Sequence, residues 1–203
     1  MSSALIWTLV GLGLGVLVVR RRSLAVALVT AQALVLVGVA LDEAESGGDV
    51  LAAGALAVRA IVLAGLFLLL VSRTRAVRPV RARVAPLARA GVAVAFALAL
   101  TWLVPAIGLV SRDAERGVLA LVAFGISTAA LRRATLFQII GIVLVENALA
   151  LAALQLPGGA SVAIELGVAL DLILVTVVAV VFYERIFAAF GTADSAALRA
   201  LRD

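Results

Sequence analysis

The chain has no cysteine, no histidine and no lysine, and only four prolines in 203 residues. Without thiols or imidazoles it cannot hold an iron–sulfur cluster, a thiolate zinc site or a histidine-ligated haem. No cofactor is therefore expected in this chain, and any redox chemistry linked to it belongs to a partner. Disulfides are excluded as well, so cysteine usage says nothing about compartment. The lack of lysine makes all 17 basic side chains arginines. Charge is scarce overall: 14% of residues are charged and 65% hydrophobic, against roughly 25% and 45–50% in soluble domains. A soluble fold of this size has no core large enough for that much apolar surface, so the bilayer is the solvent this composition implies.

The fold class expected is all-α and polytopic, with about seven membrane spans near 4–19, 24–41, 50–72, 90–110, 116–131, 134–156 and 162–183. About 20 apolar residues cross a hydrocarbon core of about 30 Å. Backbone groups in lipid must be satisfied internally, and no period-2 alternation suggests a barrel, so the spans are read as helices. Arg20-Arg21-Arg22 follows the first apolar run instead of preceding it. That order is the reverse of a cleavable signal peptide, and the first span is expected to remain.

The net charge of +5 does not point to nucleic acid, because the arginines fall in the gaps between apolar runs. Residues 20–22 are basic and 42–49 acidic; 73–89 holds six arginines, and 111–117 balances two arginines with Asp113 and Glu115. Arg132-Arg133 comes next, then uncharged 157–161, then a tail with Arg185, Arg199 and Arg202. By the positive-inside rule the N-terminus lies outside and the C-terminus in the cytoplasm. The chain thus divides into a three-helix segment, 1–72, an Arg-rich cytoplasmic loop, 73–89, a four-helix segment, 90–183, and a tail, 184–203. The loop reads as a topology anchor or as a docking site for a cytoplasmic partner or anionic lipid. The tail is expected to carry a short helix at Ser195–Leu201.

Three charges stand apart from this loop pattern. Arg59, Glu146 and Asp171 lie near the middles of the third, sixth and seventh spans. A mid-bilayer charge costs about 3 kcal/mol on insertion scales and more in simulations, and such residues mark ion pathways or pair with one another. Burial disfavours the ionised form of a carboxyl, so a buried acid can exchange a proton with little driving force. An arginine stays charged; it biases a neighbouring acid but does not relay the proton. Two acids against one base leave one carboxyl over, which suits a proton path. The competing reading is a buried ion pair that only joins helices. Glu165 sits one turn inside the seventh span, on a different face from Asp171, and is a weaker candidate for an exit path. Gln32, Gln138, Asn147, Gln155, Thr101 and Thr176 are candidates for a water chain or for interhelical hydrogen bonds. Pro105 is expected to kink the fourth helix, and Gly54 and Gly65 to permit close packing.

The stretch Arg133-Ala134-Thr135-Leu136-Phe137-Gln138-Ile139-Ile140-Gly141, the pair Glu146-Asn147, and Ile164-Glu165-Leu166-Gly167 leading to Asp171 resemble hydrogenase-4 component E. The Phe190-Gly191-Thr192 tail and Gln32-Ala33-Leu34-Val35-Leu36-Val37 are similar to it as well. That family is a membrane subunit of formate hydrogenlyase-type complexes related to respiratory complex I. The last three helices also resemble complex I subunit K. Asn147 matches an asparagine of its second helix and Asp171 its second glutamate, whereas its first glutamate falls at Ile142 and not at Glu146. Arg59 stands where relatives carry lysine, and Ala148 where they carry glycine. The resemblance implies a non-catalytic subunit of a bacterial inner-membrane complex, contributing to proton or sodium translocation. Glu146 and Asp171 would carry the proton, Arg59 would tune them electrostatically, and Gln138 and Asn147 would orient water. The implied partners are antiporter-like and redox-module-contacting membrane-arm subunits, with nickel–iron, iron–sulfur or quinone groups held elsewhere in the assembly.

Overall fold

The structure is a computed structural model that describes residues 1–44, 46–73, 85–132, 134–156 and 162–190; the side chains of Arg73, residues 162–171, Leu174, Ala189 and Phe190 are outside that description. The described residues form seven α-helices: α1 (Ser3–Val18), α2 (Arg22–Asp42), α3 (Gly47–Arg73), α4 (Pro86–Leu103), α5 (Arg112–Leu131), α6 (Thr135–Leu154) and α7 (Val162–Phe190). Among them α2, α3, α4, α5 and α6 are long and apolar enough to cross a membrane, and α1 is a shorter apolar helix. Large apolar side chains face outward along them, including Trp102 at 89% and Leu87 at 83% exposure. Outward-facing apolar groups on apolar helices are what lipid, not water, stabilises. The chain is a helical membrane protein.

Helices α1, α2, α6 and α5 form a closed ring of neighbours, α1 on α2, α2 on α6, α6 on α5 and α5 on α1. Helix α4 packs on the α1–α5 side, while α3 packs on α2, and α7 on α3 and α6. The α5–α6 contact is the most extensive, and its cause is local. A Cβ added at Gly141 would lie 2.6 Å from the Gly125 carbonyl oxygen, and one at Gly125 would lie 2.7 Å from the Gly141 carbonyl oxygen. Small residues at such crossings let two backbones approach closely. Gly54 and Gly65, expected to serve this purpose, have nothing within 4 Å of a Cβ position. Among the described residues their helix faces meet no neighbour there, and the close packing expected of them is found at Gly125 and Gly141 instead.

Helix ends correct several expected boundaries. Helix α4 stops at Leu103, followed by an extended Val104 (ψ 123). Pro105 therefore ends the helix instead of kinking it, because the ring disfavours a helical residue before it and supplies no N–H. The same helix starts at Pro86 in the first turn, where a missing N–H is harmless. Arg89 consequently belongs to α4 and not to the loop assigned to 73–89.

Helix α5 begins at Arg112, four residues before the expected span. The Ser111 side chain caps it by accepting from Ala114 N (3.1 Å), and Asp113 and Glu115 complement the positive end of the dipole. The preceding turn is held down by Gly108 (φ +80), whose N–H donates to Glu115 (3.1 Å), and by Val110 N donating to the Gln155 carbonyl (3.0 Å). Helix α7 runs to Phe190, seven residues beyond the expected span, so the segment assigned to the tail begins as helix. Residues 74–84 of the Arg-rich loop and the helix expected at Ser195–Leu201 lie outside the described residues.

Candidate functional site

Two apolar clusters fill the molecule. One collects residues such as Val26, Val29, Leu63, Phe67, Ile140 and Leu144; the other collects Leu36, Leu56, Ala148 and Leu151 with parts of α1, α4 and α5. Between them on three separate helices lie Gln32, Arg59 and Asn147, at 0%, 2% and 0% exposure. Each sits between the last residue of one cluster and the first of the other along its own helix. They form a polar layer at mid-height.

The layer is continuous. Arg59 Nη2 donates to Asn147 Oδ1 (2.8 Å), Asn147 Nδ2 donates to Gln32 Oε1 (2.9 Å), and Gln32 Nε2 donates to the Leu9 carbonyl of α1 (2.9 Å). The chain of donors thus joins α3, α6, α2 and α1 in one direction. Buried polar groups require such partners, because an unmade hydrogen bond costs about 1–3 kcal/mol. Glu146, half-buried beside Asn147, is near enough for its charge to attract the Arg59 guanidinium. The site therefore holds one permanent cation, one adjacent carboxyl and two amides, enclosed above and below by apolar side chains.

The structure separates the expected residues. Arg59, Glu146 and Asn147 are brought together, and Gln32 joins them as an interhelical donor. Gln138 is not part of this site: nine residues from Asn147 on α6, it stands about 13 Å along the axis and on the opposite face. Glu165 and Asp171 lie on α7, which packs on the helices bearing Arg59 and Glu146; their side chains lie outside the described residues. Thr101 donates back to the Ala97 carbonyl of its own helix (2.8 Å). Thr176 is buried, with its hydroxyl lacking a hydrogen-bond partner among the described residues.

Sequence reasoning gave no individual role to two other buried arginines. Arg132, at the end of α5, donates to the Val16 (3.2 Å), Leu17 (2.9 Å) and Val19 carbonyls at the C-terminus of α1. Its guanidinium lies 3.8 Å from the Phe137 ring centroid. A cation there completes the negative end of the helix and stacks on an aromatic face. Burial first, and the Arg89 charge second, push its pKa down to about 10, which leaves it cationic at neutral pH. Arg89 itself is 1% exposed. Its signal was the spacing Arg89, Ala93, Ala97, one buried stripe of α4, hidden by reading residues 86–89 as loop.

The fold and this polar layer define a helical membrane protein with a charged, hydrogen-bonded core. No protein-family model, no curated protein and no solved structure matches the chain.

Proposed function

We propose that the chain is a non-catalytic subunit of the membrane arm of a complex I-like, group 4 hydrogenase-like assembly in a bacterial inner membrane. In this reading Glu146 and Asp171 bear protons, and Arg59 holds Glu146 electrostatically. Antiporter-like and redox-module-contacting subunits flank the chain and carry the nickel–iron, iron–sulfur or quinone chemistry. The observation that carries the reading is the polar layer itself. A titratable carboxyl beside a permanent cation, enclosed between apolar layers, is the kind of group that intramembrane ion pathways use. When a redox event next door changes the local field, the Glu146 proton affinity follows, and Arg59 returns it to its resting state.

The hydrogen bonds from Arg59 through Asn147 and Gln32 to Leu9 favour a second reading, an interhelical brace without transport. Glu146→Gln separates the two, since it keeps size and hydrogen bonding but removes the titrating group. The transport reading expects the complex purified through a tag on this chain to assemble normally and to lose most proton movement in proteoliposomes. Full pumping by the variant sinks the relay; failed assembly supports the brace. Orientation is tested separately in the cysteine-free background. A Cys at Ser46 is expected to label from outside and one at Ala76 only after permeabilisation; the reverse pattern inverts the proposed topology.

A further inference from the structure

Arg89 is an energetic problem that the fold leaves open. Its guanidinium is buried, and none of its three nitrogens has a hydrogen-bond partner among the described residues. A cation shielded from water without acceptors is unfavourable. Its charged neighbours worsen the problem, because Arg20 and Arg132 are the cations that act on it. Arg132 is fixed by the α1 carbonyls and Phe137, so it cannot swing away. Among the described residues on this end of the molecule the one carboxylate is Glu184 of α7, and α7 packs on α3 and α6, away from α4. Three arginines thus lie near one another at the ends of α1, α4 and α5, with no anion among the described residues between them.

The surroundings identify the anion. Arg89 begins the stripe Arg89, Ala93, Ala97 on α4. Ala97 lines a groove of about 800 Å³ between α1, α4 and α5, walled mostly by apolar side chains such as Leu14, Val94, Leu98 and Phe124, with Thr101 and Arg116 toward the end far from Arg89. Beside it, Leu87, Val92 and Leu98 face outward. The groove starts at Val94, about 7 Å along the axis from Arg89. A cluster of cations at one end of α1, α4 and α5, about 7 Å from an apolar groove along the same helices, matches a molecule charged at the head and apolar in the tail.

We propose that Arg89, Arg20 and Arg132 bind the phosphate of an anionic phospholipid, one acyl chain of which lies in the groove between α1, α4 and α5. Guanidinium–phosphate contacts are charge-assisted and often bidentate, so the headgroup supplies the acceptors that Arg89 lacks. The site uses no residue of the mid-membrane polar layer, and its test stands or falls apart from the proposed function.

The full chain, with whatever subunits co-purify, is delipidated in mild detergent and titrated with phosphatidylglycerol, phosphatidylcholine or inorganic phosphate. Binding is read by native mass spectrometry and thermal unfolding. Phosphatidylglycerol is expected to bind and stabilise, phosphatidylcholine far less, and inorganic phosphate to reproduce only a small part of the shift. Arg89→Gln is expected to weaken phosphatidylglycerol binding about tenfold, the effect of one lost charge-assisted hydrogen bond. Arg112→Gln, an exposed arginine at the opposite end, is expected to leave it unchanged. If Arg89→Gln does not fold, Arg89→Lys serves: it keeps the charge without the fork and is expected to retain part of the affinity. Equal phosphatidylglycerol binding by the Arg89 variant overturns the site. A full response to inorganic phosphate makes it a free-anion site and overturns the lipid assignment. Release of an acidic subunit by the variant, with lipid binding intact, makes the anion a partner's carboxylate and overturns it equally.

Discussion

Arg59 and Arg89 are both shielded from solvent, at 2% and 1% exposure, the first in the middle of α3 and the second in the first turn of α4, yet the molecule treats them in opposite ways. Around Arg59 it places an acceptor on α6, an amide on α2, a backbone carbonyl on α1 and a carboxyl one residue from the acceptor. Around Arg89 it places two more cations. The first arginine is compensated from within the chain; the second waits for an anion from outside. Burial alone therefore does not say what a membrane arginine is for, and its neighbours do.

The comparison breaks most completely if α6 is displaced. Gly141→Leu would force a side chain into the Gly125 backbone and move the helix that carries Asn147 and Glu146, so loss of folded protein in size-exclusion chromatography is expected. Asn147→Leu is the next largest change. It leaves Arg59 and Gln32 without their shared amide, a cost on the order of 3 kcal/mol measurable by reversible unfolding in micelles. Pairing it with Arg59→Met sharpens the contrast, since removing both partners should restore part of the loss. A double-mutant cycle is expected to give a coupling of about 1 kcal/mol, the usual scale for interhelical hydrogen bonds in membranes. Arg89→Met should carry the opposite sign in lipid-free detergent, a gain of about 1 kcal/mol from removing an unpaired cation. A loss of comparable size there would place the two arginines in the same category after all.

Much of this was legible in advance because membrane energetics make charge conspicuous. Seven helices, the alternation of their charged ends and the prominence of Arg59 and Glu146 all follow from where polar residues interrupt apolar runs. What was not legible is which groups meet. Asn147 bonds partners 88 and 115 residues away in sequence, and nothing local distinguishes it from Gln138, which stands apart. Glycines show the same limit: Gly65 and Gly141 both sit in apolar helices, but only the second faces another backbone. Pro105 was recognised as a disruption, yet whether a proline bends a helix or ends it depends on what the following residues can bond. Here Gly108 and Val110 find Glu115 and Gln155, and the helix ends.

That early ending has a consequence for the membrane itself. Helices α1 and α4, which touch, have 16 and 18 residues, and α3 and α7, which also touch, have 27 and 29. At 1.5 Å per residue the first pair spans about 24–27 Å and the second about 40–43 Å. The first pair falls short of a hydrocarbon core of about 30 Å, whereas the second pair carries charge near its ends, Asp49 and Arg73 in α3 and Glu184 and Arg185 in α7. Hydrophobic length, not total helix length, is what lipid matches, so the bilayer is expected to thin beside α1 and α4 while the charged ends of α3 and α7 stand in the headgroup region or beyond it.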